Sequence, residues 1–176
     1  DQMCRNLGQK LIVGQVQSLD LQLDHLSPEK LGYIFEPLLC SRPDGALNTS
    51  LHSLFLCKDE HSHDSQCQQL LEQVIPQLSG LEGLSVDAGI FQWNSPFCKN
   101  LTLGCRQLQW LTWDGEFEKI SVRDCELLTQ LPALQWLELQ GFSIVDDPTE
   151  LSAILNTFAS SRGNLRHVSL HRTAVT

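Results

Sequence analysis

One short hydrophobic pattern recurs along this chain: an apolar residue, two variable positions, and then two apolar residues separated by a variable one. The units start near residues 16, 51, 81, 108, 134 and 165, at intervals of 26 to 35 residues. They read Val16-Gln-Ser-Leu19-Asp-Leu21, Leu51-His-Ser-Leu54-Phe-Leu56, Leu81-Glu-Gly-Leu84-Ser-Val86, Leu108-Gln-Trp-Leu111-Thr-Trp113, Leu134-Gln-Trp-Leu137-Glu-Leu139 and Leu165-Arg-His-Val168-Ser-Leu170. Because alternate side chains of a strand point to opposite faces, the fourth and sixth positions are predicted to face a core. Each unit is therefore interpreted as one short strand of a parallel sheet.

The segments between the units carry apolar residues at helical spacing. This spacing predicts helices over 28–39, 64–78 and 148–158, and shorter helices of a turn or two over 96–103 and 122–131. Pro37 and Pro76 are expected to end or kink the first two helices in their last turn. Residues 1–15 are interpreted as the tail of an earlier unit, and 174–176 as the start of a further one.

Strands that alternate with helices at a near-regular interval predict a repeat architecture. A strand, a crossover helix and a parallel strand form a right-handed unit, and such units must stack to bury their apolar faces. The predicted fold is α/β: one solenoid segment over residues 1–176, truncated at both ends. An ordinary α/β domain with a parallel sheet stays open as the alternative.

These units resemble the intracellular leucine-rich-repeat family with long helical repeats, which includes ribonuclease inhibitor and adaptors of ubiquitin ligases. The resemblance covers about residues 16–170. It implies a curved parallel sheet of short strands with helices on the convex side, and a protein partner bound on the concave strand face. In that family an asparagine occupies the ninth position of each unit. Here those positions hold Asp24, Asp59, Gly89, Glu116, Phe142 and Thr173, so the asparagine ladder is missing.

The strand register also predicts which side chains face away from the core. The third positions are Ser18, Ser53, Gly83, Trp110, Trp136 and His167. The fifth and seventh positions include Phe55, Asp87, Asp114, Glu138 and His171. Neighbouring strands lie about 4.8 Å apart, so Trp110 and Trp136 are expected to stack on each other. Tryptophan is enriched at binding hot spots, which favours a binding site over the alternative that these rings only cover the sheet.

Acidic residues lie beside this tryptophan pair. Together with Asp20, the residues Asp87, Asp114 and Glu138 make the predicted face acidic and favour a partner with a basic segment. The last strand is basic instead, through Arg166, His167, His171 and Arg172. A solvated charged surface is the alternative interpretation. The predicted partner-binding set is Trp110, Trp136, Phe55, Asp87, Asp114, Glu138, His167 and His171.

The net charge and the cysteines narrow the classes of partner and the compartment. A formal charge of −9 opposes binding to nucleic acid or to an anionic membrane surface. No apolar run reaches the roughly 18 residues that a membrane span needs. The seven cysteines are an odd number with no CxxC pair. Most lie in apolar patterns, where reduced thiols pack as small hydrophobes, so an intracellular, cytoplasmic or nuclear location is expected.

One segment carries donors that suit zinc: Cys57, His61, His63 and Cys67. Their spacing matches no zinc module known to us, and a solvated loop that precedes a helix is the favoured interpretation. Nucleophile-elbow, zinc-protease and phosphate-loop motifs are missing from the sequence, so neither an enzyme activity nor a cofactor is expected.

The predicted function is a protein–protein interaction module, a scaffold or adaptor segment that binds its partner on the strand face. Three alternatives remain open. The chain is the substrate-recognition part of a ubiquitin-ligase adaptor, a structural spacer within a larger scaffold, or an extracellular receptor ectodomain, which would require disulfides.

Overall fold

Six parallel strands form the main sheet, in the order in which they occur along the chain. The computed structural model describes residues 2–40, 50–58, 65–87, 90, 95–115, 119–144, 148–161, 163–171 and 174–175. The strands are β1 (Ser18–Gln22), β2 (Ser53–Cys57), β3 (Gly83–Val86), β4 (Trp110–Asp114), β5 (Trp136–Gln140) and β7 (His167–His171). Each strand pairs in parallel with the strand of the next unit.

Helices connect the strands and follow one another as neighbours. They are α1 (Gln2–Ile12), α2 (Pro28–Cys40), α3 (Ser65–Val74), α4 (Ser95–Gly104), α5 (Val122–Leu128) and α6 (Pro148–Ala159). Two 3₁₀ turns add Leu23–His25 and Ile75–Gln77. α1 packs on α2, α2 on α3, α4 on α5 and α5 on α6, so successive helices form one layer over the sheet.

The pairing register agrees with the register predicted from the sequence. Third positions pair with third positions across the whole sheet, from Ser18 opposite Ser53 to Trp136 opposite His167. The fourth and sixth positions of β1 to β5 are buried beneath the helices, at 6 % exposure or less. Val168 and Leu170 occupy the same positions of β7 and are half-buried.

The helices differ in detail from their predicted bounds. α2 continues through Pro37 to Cys40, whereas α3 ends before Pro76, which begins a 3₁₀ turn. α4 is longer than the turn or two expected for it. Residues 174–175 also correct a prediction: β8 (Ala174–Val175) pairs with β6 (Ser143–Ile144) in a second small sheet and therefore lies within the sixth unit, at the position that β6 has in the fifth.

The repeated units and the continuous parallel sheet define the fold class. The chain is an α/β leucine-rich-repeat solenoid in which each repeat contributes one short strand and one helix. One face of the sheet lies under the helices. The other face carries the third, fifth and seventh positions of every strand, which are exposed or half-buried in all but Gly83, and we call it the open face. None of the described helices is long and apolar enough to cross a membrane.

Candidate functional site

A pocket of about 560 Å³ lies on the open face between β4 and β5. Its lining includes both tryptophans of the predicted site. The full lining is Gln109, Trp110, Thr112, Gln135, Trp136, Arg166 and His167. The pocket therefore brings together three of the residues that the sequence predicts for partner binding, Trp110, Trp136 and His167.

Trp110 leans from β4 across β3 because Gly83 leaves the neighbouring position empty. A Cβ atom on Gly83 would overlap Cε2, Cζ2 and Nε1 of the Trp110 indole. The indole then reaches Phe55 on β2, with ring centroids 5.4 Å apart and planes tilted by 39°. Phe55, another residue of the predicted set, thus contacts a tryptophan that lies two strands away.

Trp136 leans in the opposite direction, toward β7. Its indole stacks on the imidazole of His167, with centroids 3.7 Å apart and planes within 16° of parallel. The indole stays 45 % exposed, one of the most exposed large apolar side chains among the described residues. The imidazole covers one face of the indole, so the exposed part faces solvent and the pocket.

The predicted stack of Trp110 on Trp136 is therefore wrong. Each indole has its own partner ring, Phe55 for Trp110 and His167 for Trp136. The physical reason is that Trp110 occupies the empty space above Gly83, whereas Trp136 stacks on the flat imidazole of His167. Because the two indoles lean apart, the space between them is the pocket.

Four further lining residues were not in the predicted partner-binding set, and one of them, Thr112, occupies the fifth position of its unit. Gln109, Gln135 and Arg166 occupy the second position of their units, immediately before the strand begins. Their side chains bring amides and one guanidinium to the rim of an otherwise aromatic pocket. Their positions in the sequence, directly before the aromatic third positions of the same units, could have indicated that they belong to this surface.

Carboxylates gather toward the opposite end of the strands, at the seventh positions of β3 and β4 and the fifth position of β1. We call Asp20, Asp87 and Asp114 the acidic cluster. The Cys57 thiol lies among them and donates a hydrogen bond to Oδ1 of Asp20 at 3.6 Å. Burial, followed by the negative charges of Asp87 and Asp20, raises the pKa of Cys57 to about 11.

Asp87 itself is held in an unfavourable electrostatic environment. Burial raises the pKa of its carboxyl above the ordinary value, and the nearby Asp114 and Asp20 raise it further. The backbone N–H of Lys58, which donates to Oδ2 at 3.4 Å, opposes that rise. A cation at this position would relieve the repulsion between the carboxylates.

Glu138 is separated from the acidic cluster by its contacts. The Gln140 amide donates a hydrogen bond to Oε1 of Glu138 at 2.8 Å, and Nε2 of His171 lies 3.9 Å from the same oxygen. The His171 imidazole next to Glu138 would carry the opposite charge when protonated. The negative field of the open face is concentrated at the seventh positions of β3 and β4.

The candidate zinc ligands fall partly outside the described residues, since His61 and His63 lie there. The structure places Cys57 on the open face at the end of β2. Cys67 is buried in α3, with its thiol 3.9 Å from the carbonyl oxygen of Leu26. Within the ranges that the structure describes, no group of three potential metal ligands comes together.

Comparison with known proteins gives likenesses to solved structures and no sequence match. No protein-family model matches the sequence, and no curated protein matches it. Among solved structures, the chain is similar to internalin C2 from Listeria monocytogenes. The identity is 13 %, the TM-score is 0.40, and the alignment covers 97 % of this chain and 93 % of that one. The assignment of the fold rests on the chain's own repeats and sheet.

Proposed function

We propose that this leucine-rich-repeat segment is a protein–protein interaction module that binds its partner on the open face. The observation that carries the proposal is the pocket between Trp110 and Trp136, with one indole 45 % exposed at its wall. Large aromatic side chains that border a pocket on a rigid sheet supply much of the binding energy at protein interfaces.

The remainder of the predicted set surrounds this pocket on the same face. Phe55 supports Trp110, His167 supports Trp136, and Asp87, Asp114, Glu138 and His171 supply charge at the other end of the strands. We propose that all eight contribute to recognition, the aromatic residues through contact area and the charged residues through selection of a partner with a basic segment. The proposal involves binding alone, with no reaction and no cofactor.

The test compares two double variants of the chain as bait for partner capture. Replacement of Trp110 and Trp136 by alanine should abolish retention of the partner, because both walls of the pocket are removed. The control replaces Leu103 and Leu155, which are 65 % and 49 % exposed on α4 and α6, by alanine. Circular dichroism and thermal melting establish that both variants are folded. Equal retention by the two variants contradicts the proposed site.

The same comparison separates the alternatives. A structural spacer would retain no partner with either bait, whereas an adaptor of a ubiquitin ligase would retain both a substrate and ligase components. We propose an intracellular location, and the support is the set of six described cysteines, each with a free thiol and five of them buried. Disulfide mapping tests the receptor-ectodomain alternative, because that alternative requires paired cysteines.

A further inference from the structure

We propose that the occupant of the open face is an extended, charge-polarised segment of a partner protein. An aromatic residue of this segment enters the Trp110/Trp136 pocket with a carboxylate beside it, and lysine or arginine four to five residues away lies over the acidic cluster. The proposal rests on the proposed function and adds the chemistry and the order of the bound residues.

The pocket end of the face carries one guanidinium. Arg166 lies at the rim, where it lines the pocket together with the Gln109 and Gln135 amides. A partner residue that enters between the indoles therefore places its chain neighbour beside a guanidinium. Arginine binds carboxylates in a two-pronged geometry, so an acidic neighbour is favoured and a basic one is repelled. The apolar walls favour an aromatic side chain in the pocket itself.

The acidic cluster marks the other end of the bound segment. Asp87 lies close enough to Asp20 and Asp114 to be destabilised by their charges, and Asp20 accepts a hydrogen bond from the thiol between them. A lysine or arginine placed beside Asp87 is attracted by that carboxylate first, and by the charges of Asp114 and Asp20 at longer range. Toward β7 the seventh position is His171 instead, next to Glu138. This difference directs the basic end of the segment toward β3 and away from β7.

The separation of the two ends sets the conformation of the segment. The third and seventh positions of a strand lie about 13 Å apart at a rise of roughly 3.3 Å per residue. A shift of one or two strands at about 4.8 Å each lengthens the path to about 14–16 Å. An extended chain covers that distance in four to five residues, whereas a helix rising about 1.5 Å per residue would need about ten.

Two peptides of identical composition test this order of charges. The matching peptide is Glu-Trp-Ser-Ser-Ser-Lys-Lys, and the control is Lys-Lys-Trp-Ser-Ser-Ser-Glu, both capped and labelled with fluorescein. Each peptide is also made with its sequence reversed, and whichever of the two directions binds more tightly is used in the comparison. We expect fluorescence anisotropy to show the matching peptide binding at least about fivefold more tightly, with the preference falling at high salt.

Variants of the protein test which of its residues contact each end of the bound peptide. Arg166→Glu should remove the preference for glutamate beside the tryptophan, and the double change Asp87→Asn with Asp114→Asn should weaken the matching peptide alone. Glu126→Gln, an exposed change on α5, is the control and should leave both affinities unchanged. Equal affinities for the two peptides, or no binding of either, overturn this proposal. If either result is obtained while partner capture still depends on Trp110 and Trp136, only the charge order is rejected and the proposed function stands.

Discussion

Gly83 determines where the largest side chain of the open face lies, although it contributes no side chain itself. Any Cβ atom at this position would overlap the Trp110 indole, which crosses β3 to reach Phe55. The chain has a second glycine with an aromatic ring against it, Gly115, where a Cβ atom would lie 2.6 Å from Cε1 of the buried Phe142. The two glycines therefore offer a comparison between a surface ring and a core ring.

Gly83→Ala should displace the Trp110 indole and weaken partner binding about tenfold or more, because the pocket loses its shape. Stability should change by less than about 1 kcal/mol, since a surface ring is able to rotate away. Gly115→Ala should instead cost about 1–3 kcal/mol, because Phe142 has no free space to enter. Partner titration measures the loss of binding, and chemical denaturation measures the change in stability. A Gly83→Ala variant that binds normally would show that the position of Trp110 is not needed for binding.

The Cys57 thiol should react slowly with alkylating reagents although it is only half-buried. Its pKa is raised from 9.0 to about 11 by burial first and then by Asp87 and Asp20, so less thiolate is present at any pH below that value. At pH 8 the rate should be one to two orders of magnitude below that of an unperturbed thiol, on the order of tenfold per unit of pKa. The rate should still be rising above pH 9.

Removal of the negative charges next to Cys57 should reverse part of the rise in the pKa of its thiol. In the Asp20→Asn, Asp87→Asn double variant the thiolate meets less repulsion, so the pKa of Cys57 falls and alkylation at pH 8 accelerates. Because burial is the largest cause, the rate should remain below that of a free thiol. Mass spectrometry of the peptide that contains Cys57 follows this site separately from the buried cysteines. An unchanged rate in the double variant would contradict the electrostatic part of the explanation.

Among the elements, the shortest helix carries the best-defined start. α5 begins after Ser121, whose hydroxyl accepts a hydrogen bond from the backbone N–H of Asp124. In return, the Asp124 carboxylate accepts from the backbone N–H of Ser121 at 3.1 Å, and the pair forms a capping box. The spacing Ser-x-x-Asp before an apolar run was available in the sequence as a signal for this helix start.

Ser121→Ala should lower the free energy of unfolding by about 1 kcal/mol, within the 0.5–2 kcal/mol range of N-cap replacements. The reason is that one backbone N–H of α5 loses its acceptor while Asp124 stays buried. Ser160→Ala, on an exposed serine just after α6, is the control and should change the same quantity by less than about 0.5 kcal/mol. Urea denaturation of both variants measures the difference. Equal stabilities would contradict the capping role.

The strands were more predictable than the helices, and the reason is physical. Each strand repeats its apolar residues with a period of two, so Leu111 and Trp113 fix which face of β4 is buried. Helix ends depend on local caps and on proline, and Pro37 lies inside α2 rather than at its end. The small sheet of β6 and β8 has only two residues per strand, too few for any periodicity to reveal.

At the scale of the whole molecule, the positions of the site residues were predictable and their contacts were not. The register placed Trp110, Trp136 and His167 in one column, and the pairing of the strands agrees with that column. The direction in which each indole leans depends on Gly83 and on Phe55, which belong to other strands. A pattern read within single units contains no information about such contacts, so the pocket became visible only in the folded chain.

Stability should fall toward the β7 edge of the solenoid. Leu139→Ala removes a fully buried side chain of β5 and should cost about 2–5 kcal/mol. Leu170 occupies the equivalent position of β7 and is half-buried, so Leu170→Ala should cost less than half as much. Amide hydrogen exchange should likewise be faster in β7 than in β4, because repeat proteins are stabilised by contacts between neighbouring repeats. Equal losses in the two variants would contradict this gradient.

The opposite lean of the two indoles has a mechanical consequence. Trp110 and Phe55 clamp β2, β3 and β4 together on the outer surface, and Trp136 and His167 clamp β5 to β7. The line between β4 and β5, where the pocket lies, has no such clamp from these rings. The sheet is therefore expected to flex most readily between β4 and β5, so that β2 to β4 move as one unit relative to β5 and β7. A partner side chain bound in the pocket would restrict this motion. The sheet would therefore be more rigid in the complex than in the free protein.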